Sequence, residues 1–122
     1  MHDMTAIAAE LAELRLDAPT PDAMMDCMRV LETFNQCALG VIRFAGVTPW
    51  ERHPDDEFLY VLEGAVELTV LADGQRRCEA LAAGCAGVVP AGAWHRQSAP
   101  GGVALIYVTS REGTEHSDAE TP

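Results

Sequence analysis

From residue 28 to residue 109 the chain is a succession of short apolar runs broken by turn-forming residues, and this punctuation limits the folds open to it. In the clearest run, Ala65 to Leu71, Val66, Leu68 and Val70 alternate with Glu67, Thr69 and Leu71. A period of two makes a strand with opposite faces in different surroundings. Asp73-Gly74 follows as a two-residue hairpin turn, because both residues tolerate positive φ, and Gln75 to Leu81 is the return strand. Further strands are expected over Met28–Phe34, Cys37–Phe44, Phe58–Leu62, Ala86–Val89, Trp94–Ser98 and Val103–Thr109. Between them lie turn signals at Ala45-Gly46, Ala83-Gly84, Pro90-Ala91-Gly92 and Ala99-Pro100-Gly101-Gly102. Signals at intervals of roughly 8–12 residues belong to all-β sandwiches and barrels. Neither βαβ alternation nor a long internal repeat is present. The expected fold is all-β, an antiparallel barrel or jelly roll.

The flanks differ. Asp3 or Thr5 can cap a short helix running to about Arg15, with Ile7, Leu11 and Leu14 on one face. That stripe must pack on the barrel wall or on a second subunit. Two prolines in Asp17-Ala18-Pro19-Thr20-Pro21-Asp22 mark a linker. Residues 1–27 are therefore expected to form a helix and linker, and residues 28–109 the barrel. Residues 110–122, polar, acidic and without aromatics, are expected to be a disordered tail.

At 122 residues the chain suits one domain with one core. Its formal net charge of −11 argues against nucleic acid or an anionic membrane as partner, since both need a basic face. All eight basic residues are arginine, which excludes Schiff-base chemistry through lysine. The four cysteines, Cys27, Cys37, Cys78 and Cys85, form no metal-finger spacing and are expected to be buried free thiols. The N-terminus lacks the pattern of a signal peptide, and no apolar stretch reaches spanning length, so a cytoplasmic location is expected.

Most of the candidate chemistry lies between Pro49 and Gly64. His53 precedes Pro54 and is thereby pushed toward extended angles, so Glu51 and His53 should point to the same side. Pro54-Asp55-Asp56 is turn chemistry, with Asp55 and Asp56 expected in solvent, and Glu57 opens the next strand. A strand, a tight turn and a strand would draw Glu51, His53 and Glu57 together as a metal or acid–base cluster. The remaining interior histidine, His95, follows Pro90-Ala91-Gly92-Ala93-Trp94.

These two segments resemble the paired motifs of the cupin superfamily, Gly-x5-His-x-His-x3-Glu-x6-Gly and Gly-x5-Pro-x-Gly-x2-His-x3-Asn. His53-x3-Glu57-x6-Gly64 and Gly84-x5-Pro90-x-Gly92-x2-His95 match without a gap. Two departures stand out: Glu51 occupies the first histidine position, with Gly46 one residue late, and Ala99 occupies the asparagine position. The resemblance covers about Leu39 to Thr109 and looks closest to small single-domain cupins. It implies a double-stranded β-helix that holds one metal through His53, Glu57 and His95, with Glu51 as a further ligand or a neighbouring acid–base group. This donor set suits iron(II), manganese, zinc or nickel. Gln97 shares the face of His95, and Leu59 and Val61 share that of Glu57, so these three are expected to contact a substrate. Trp50 and Trp94 should point away from the metal. The resemblance also implies a homodimer acting on a small organic molecule, as a dioxygenase, isomerase or lyase. The alternative is a non-catalytic small-molecule-binding or sensor module.

Overall fold

The computed structural model describes residues 1–122 and shows a β-barrel with a short helical N-terminal segment. Asp3 caps α1 (Met4–Glu10) by accepting from the Ala6 amide. The helix ends earlier than its apolar spacing suggests. Leu14–Arg15 instead forms β1, which pairs in parallel with Phe44 and Ala45. A short isolated helix is marginal in water, and strand pairing offers the same backbone groups a better-supported set of partners. The expected linker likewise contains structure. Thr20 caps and Pro21 opens α2 (Pro21–Asp26), where the missing amide of proline costs nothing.

The barrel is built from β2 (Met28–Phe34), β3 (Cys37–Val47), β4 (Trp50–Arg52), β5 (Glu57–Ala72), β6 (Gln75–Ala82), β7 (Ala86–Val89) and β8 (Trp94–Ser110). β3 pairs with β2 on one side and β8 on the other, and β5 pairs with β6, β7 and β8, all antiparallel. A register shift between Phe44 and Gly46 marks a bulge at the late glycine.

Two gaps between expected strands are not turns. Gly64 and the Ala99–Gly102 segment lie inside the continuous strands β5 and β8, opposite each other at register shifts. Gly64 has φ +77, and a Cβ there would overlap the Gly102 carbonyl oxygen. The glycines let two long strands bend together, so each serves both halves of the barrel.

The main core gathers Phe44, Leu59, Val61, Val66, Leu68, Val103 and Leu105 from the inner faces of β3, β5 and β8. Each such side chain contributes about 1.5–3 kcal/mol on burial. A second cluster lies outside the barrel, where Ala8 of α1 and Leu11 at its C-terminal cap cover Val41 and Ala104. Arg43 reinforces it by donating to the Ala8 carbonyl and to Glu63. The apolar stripe of the helix is thus covered within the chain.

The C-terminal residues correct another expectation. Glu115–Ser117 forms β9, paired antiparallel with β4 in the register Trp50↔Ser117, Glu51↔His116 and Arg52↔Glu115. Its polarity gives no hydrophobic signal, but the free edge of β4 supplies backbone partners, and Arg52 and Glu115 pair at 2.7 Å. Of the cysteines, Cys27 and Cys37 are buried and Cys78 and Cys85 are exposed, which corrects the expectation that all four are buried. No helix is long and apolar enough to cross a membrane.

Candidate metal centre

Glu51 lies on β4, between His95 of β8 and His116 of β9 in register. His53 follows β4 directly, and its carbonyl accepts from the Gly92 amide at 2.8 Å, joining the two motif segments. The Pro54–Asp56 turn is tied down and not simply solvated as expected. Asp55 accepts from Gln36 and from the Ser110 hydroxyl, each at 2.7 Å, and Asp56 accepts from the Ala91 amide. Gln36 and Ser110 hold the Asp55 carboxyl below its ordinary range. This anchoring sets where β5 begins, and therefore where Glu57 stands.

Glu57 is buried between two buried imidazoles. Its Oε1 lies 3.1 Å from His95 Nε2, and its Oε2 lies 3.4 Å from His53 Nε2. These are ion-pair separations without hydrogen-bond alignment, since Glu57 Oε1 and both Nε2 atoms have no hydrogen-bond partner. Glu51, His53 and His95 form a second triangle, each offering a ligand atom within 4.8 Å of the others. The four residues thus share the His53–His95 edge, whose ring centroids are 5.0 Å apart.

Tautomers sharpen the picture. His95 Nδ1 lies 3.1 Å from the Ala93 carbonyl, which can only accept, so Nδ1 carries a proton. The neutral ring then points the Nε2 lone pair at a carboxylate oxygen. That conflict is relieved either by a second proton on His95 or by a cation shared between the two atoms. In the metal-free protein, burial opposes the charged form of Glu57, but His53 and His95 outweigh it and hold the carboxyl at about 2. Burial also opposes the His95 imidazolium, and Glu57 again outweighs it, raising the pKa of His95.

The donors therefore fit a divalent transition metal. They supply two nitrogens and up to two carboxylates, with unpartnered atoms converging in a buried place. His53 Nδ1 lies 2.8 Å from the Thr114 hydroxyl, and His116 Nε2 lies 3.3 Å from Glu51 Oε2. Contacts of this kind orient the side chains that hold a metal. Neither Thr114 nor His116 was expected at the site. Their only local signal is that they are two apart, which puts them on one face of a strand.

A cavity of about 300 Å³ opens beside the cluster. Glu51, His53 and Glu57 lie in its wall together with Leu59 and Gln97. Val61, expected to contact substrate, is instead fully enclosed in the core and does not reach the cavity. Thr48 is an unforeseen member of the wall, with its hydroxyl accepting from the Gln97 amide at 2.9 Å. Arg96 stacks over the buried Trp50 and Arg52 over the half-buried Trp94, each 4.6 Å from the ring centroid. Both tryptophans are engaged away from the centre.

Residues 41–110 match the cupin domain family. The protein belongs to the cupins. No curated protein sequence matches it. Among solved structures, a cupin-2 domain protein from Shewanella frigidimarina is 26% identical, with a TM-score of 0.59 over 69% of this chain and 79% of its own. A protein from Neisseria meningitidis has a TM-score of 0.68 at 18% identity, covering 90% of this cupin and 98% of the other chain. Oxalate decarboxylase from Bacillus subtilis, studied for its Mn(II) centres, has a TM-score of 0.59 at 20% identity over 66% of this chain. This cupin spans only 24% of that enzyme's chain, and the likeness is one of fold. Within the family pattern, Glu51 stands where the first histidine is expected, and β9 lies beyond the matched residues.

Proposed function

We propose that this cupin is a metal-dependent enzyme acting on a small organic molecule in the barrel cavity. The observation that carries the reading is the approach of His95 Nε2, which bears a lone pair in the neutral ring, to Glu57 Oε1 at 3.1 Å with neither atom hydrogen-bonded. His53, Glu57 and His95 would hold one divalent ion, iron, manganese, zinc or nickel. Glu51 is either a fourth ligand or a free carboxylate beside the ion. A metal bound there would polarise an oxygen of the substrate or activate dioxygen. The protein's own part is to exclude water with the apolar wall, orient the substrate through Gln97, and move a proton through Glu51. These roles suit a dioxygenase, an isomerase or a lyase.

The test is metal content by mass spectrometry on chain purified without chelators, beside a His95→Ala variant. About one metal per chain, lost in the variant, is expected. An absence of metal after reconstitution would sink the reading. The second reading is a non-catalytic binding module, favoured by the eight hydrophobic residues in the cavity wall. It predicts a retained ligand and no metal position open to exchange.

The working unit is proposed to be a homodimer. β2 pairs only with β3 and exposes Met28, Val30 and Phe34, an unusually apolar edge. Light scattering on wild type and on Val30→Asp tests this, with dimer and monomer as the respective expectations.

A further inference from the structure

The cavity has a one-sided set of charges. Its sixteen wall residues include the carboxylates Glu51 and Glu57 and the imidazoles of His53 and His116, but no arginine, and the chain has no lysine. The arginines nearest these residues in sequence are committed elsewhere. Arg43 binds Ala8 and Glu63, Arg52 binds Glu115 and stacks on Trp94, and Arg96 stacks on Trp50. A divalent cation would balance the two carboxylates. An anionic ligand would then make the partly enclosed site net negative, with no arginine or lysine in the wall to offset it.

The polar signal in the wall is neutral. Gln97 is the next inward residue after His95 on β8, it is 6% exposed, and its Oε1 has no hydrogen-bond partner. A buried acceptor without a donor is costly, and Gln97 also reaches the cavity wall, so a ligand hydroxyl can pair with its side-chain amide. Around it, Phe44, Leu59 and Leu105 offer buried apolar surface.

We propose that the site takes an uncharged, mainly apolar molecule whose hydroxyl hydrogen-bonds the Gln97 side-chain amide and whose hydrocarbon body lies on Phe44, Leu59 and Leu105. At the packing density of protein interiors, about 0.74, the cavity holds roughly a dozen non-hydrogen atoms. The inference rests on the proposed use of this site, but the rejection of anions does not need the metal. Without the cation, Glu51 and Glu57 still lie in the wall, with imidazoles beside them and no arginine or lysine.

The experiment titrates 1-hexanol, hexanoate and hexylammonium separately into the full chain, metal-free and loaded with manganese, and follows binding by NMR. Hexanol should bind about tenfold or more tightly than hexanoate in both forms, because like charges brought together in such a site repel. Gln97→Leu should weaken hexanol binding about fivefold, as one neutral hydrogen bond is lost, and leave hexanoate the weakest ligand. Hexylammonium should lead only in the metal-free form. Equal or tighter binding of hexanoate in either form overturns the inference, as does hexylammonium leading in the loaded form or no binding by any probe. If hexanoate gains only on loading, the metal reading stands and this inference falls. If no metal binds yet hexanol still outranks hexanoate and depends on Gln97, the metal reading falls and this one stands.

Discussion

The Thr114 hydroxyl sits 2.8 Å from His53 Nδ1, so a strand-edge residue outside the family-matched region holds the ring of a central histidine. Two residues on, His116 contacts Glu51 at 3.3 Å, while Glu115 between them turns outward to Arg52. One short segment thus supports two donors of the centre.

Removing the Thr114 hydroxyl should loosen the orientation of His53 without unfolding the barrel. Thr114→Val is expected to weaken metal affinity about tenfold, the lower end of the effect of such supporting contacts. Competition with a chelator measures it. Glu115→Gln, which alters the outward side of the same strand, should leave the affinity unchanged.

The two carboxylates should not be equivalent. Glu57 is enclosed between His53 and His95, whereas Glu51 also engages His116. Glu57→Gln is expected to abolish stoichiometric metal, and Glu51→Gln to retain metal with about tenfold weaker affinity. Metal content after dialysis distinguishes them, and equal loss in both variants would refute the distinction.

Metal-free stability should depend on pH through the Glu57–His95 pair. Glu57 is depressed to about 2, so its contribution is present above the ordinary carboxylate range and is lost as pH falls toward about 2. His95 is raised, so its contribution is complete below the ordinary imidazole value and is lost as pH rises through its folded value. The pair therefore stabilises most between about 4.5 and 6.5. The Glu57 shift corresponds to on the order of 3 kcal/mol, shared with His95 and not added to it. Because a ligand imidazole must be neutral, the rise in Tm on adding metal should grow between about pH 5.5 and pH 8. Thermal melts with and without metal check this.

The bend shared by β5 and β8 should be intolerant of a side chain. Gly64→Ala combines positive φ with overlap onto the Gly102 carbonyl, and should cost about 2–4 kcal/mol. Gly74→Ala also sits at positive φ, but nothing lies within 4 Å of the added carbon, so about 1 kcal/mol is expected. Chemical denaturation of both variants reads the difference.

What could be read from the sequence was what local pattern encodes. Alternation in Val66–Val70 and the Asp73-Gly74 turn specify a hairpin, because side-chain period and turn conformation depend on neighbouring residues alone. Spacing placed His53 and Glu57 across a tight turn, and Pro90-Ala91-Gly92 delivered His95 to them. Tertiary pairing decided the rest. Leu14–Arg15 left the helix for the edge of β3, and Gly64 and Gly102 proved to be the facing points of a bend. Glu115–Ser117 became a strand only because β4 offered an unpaired edge. A polar segment carries no burial signal of its own, and its structure is supplied by partners distant in sequence. For that reason Thr114 and His116 became visible at the centre only in the folded chain.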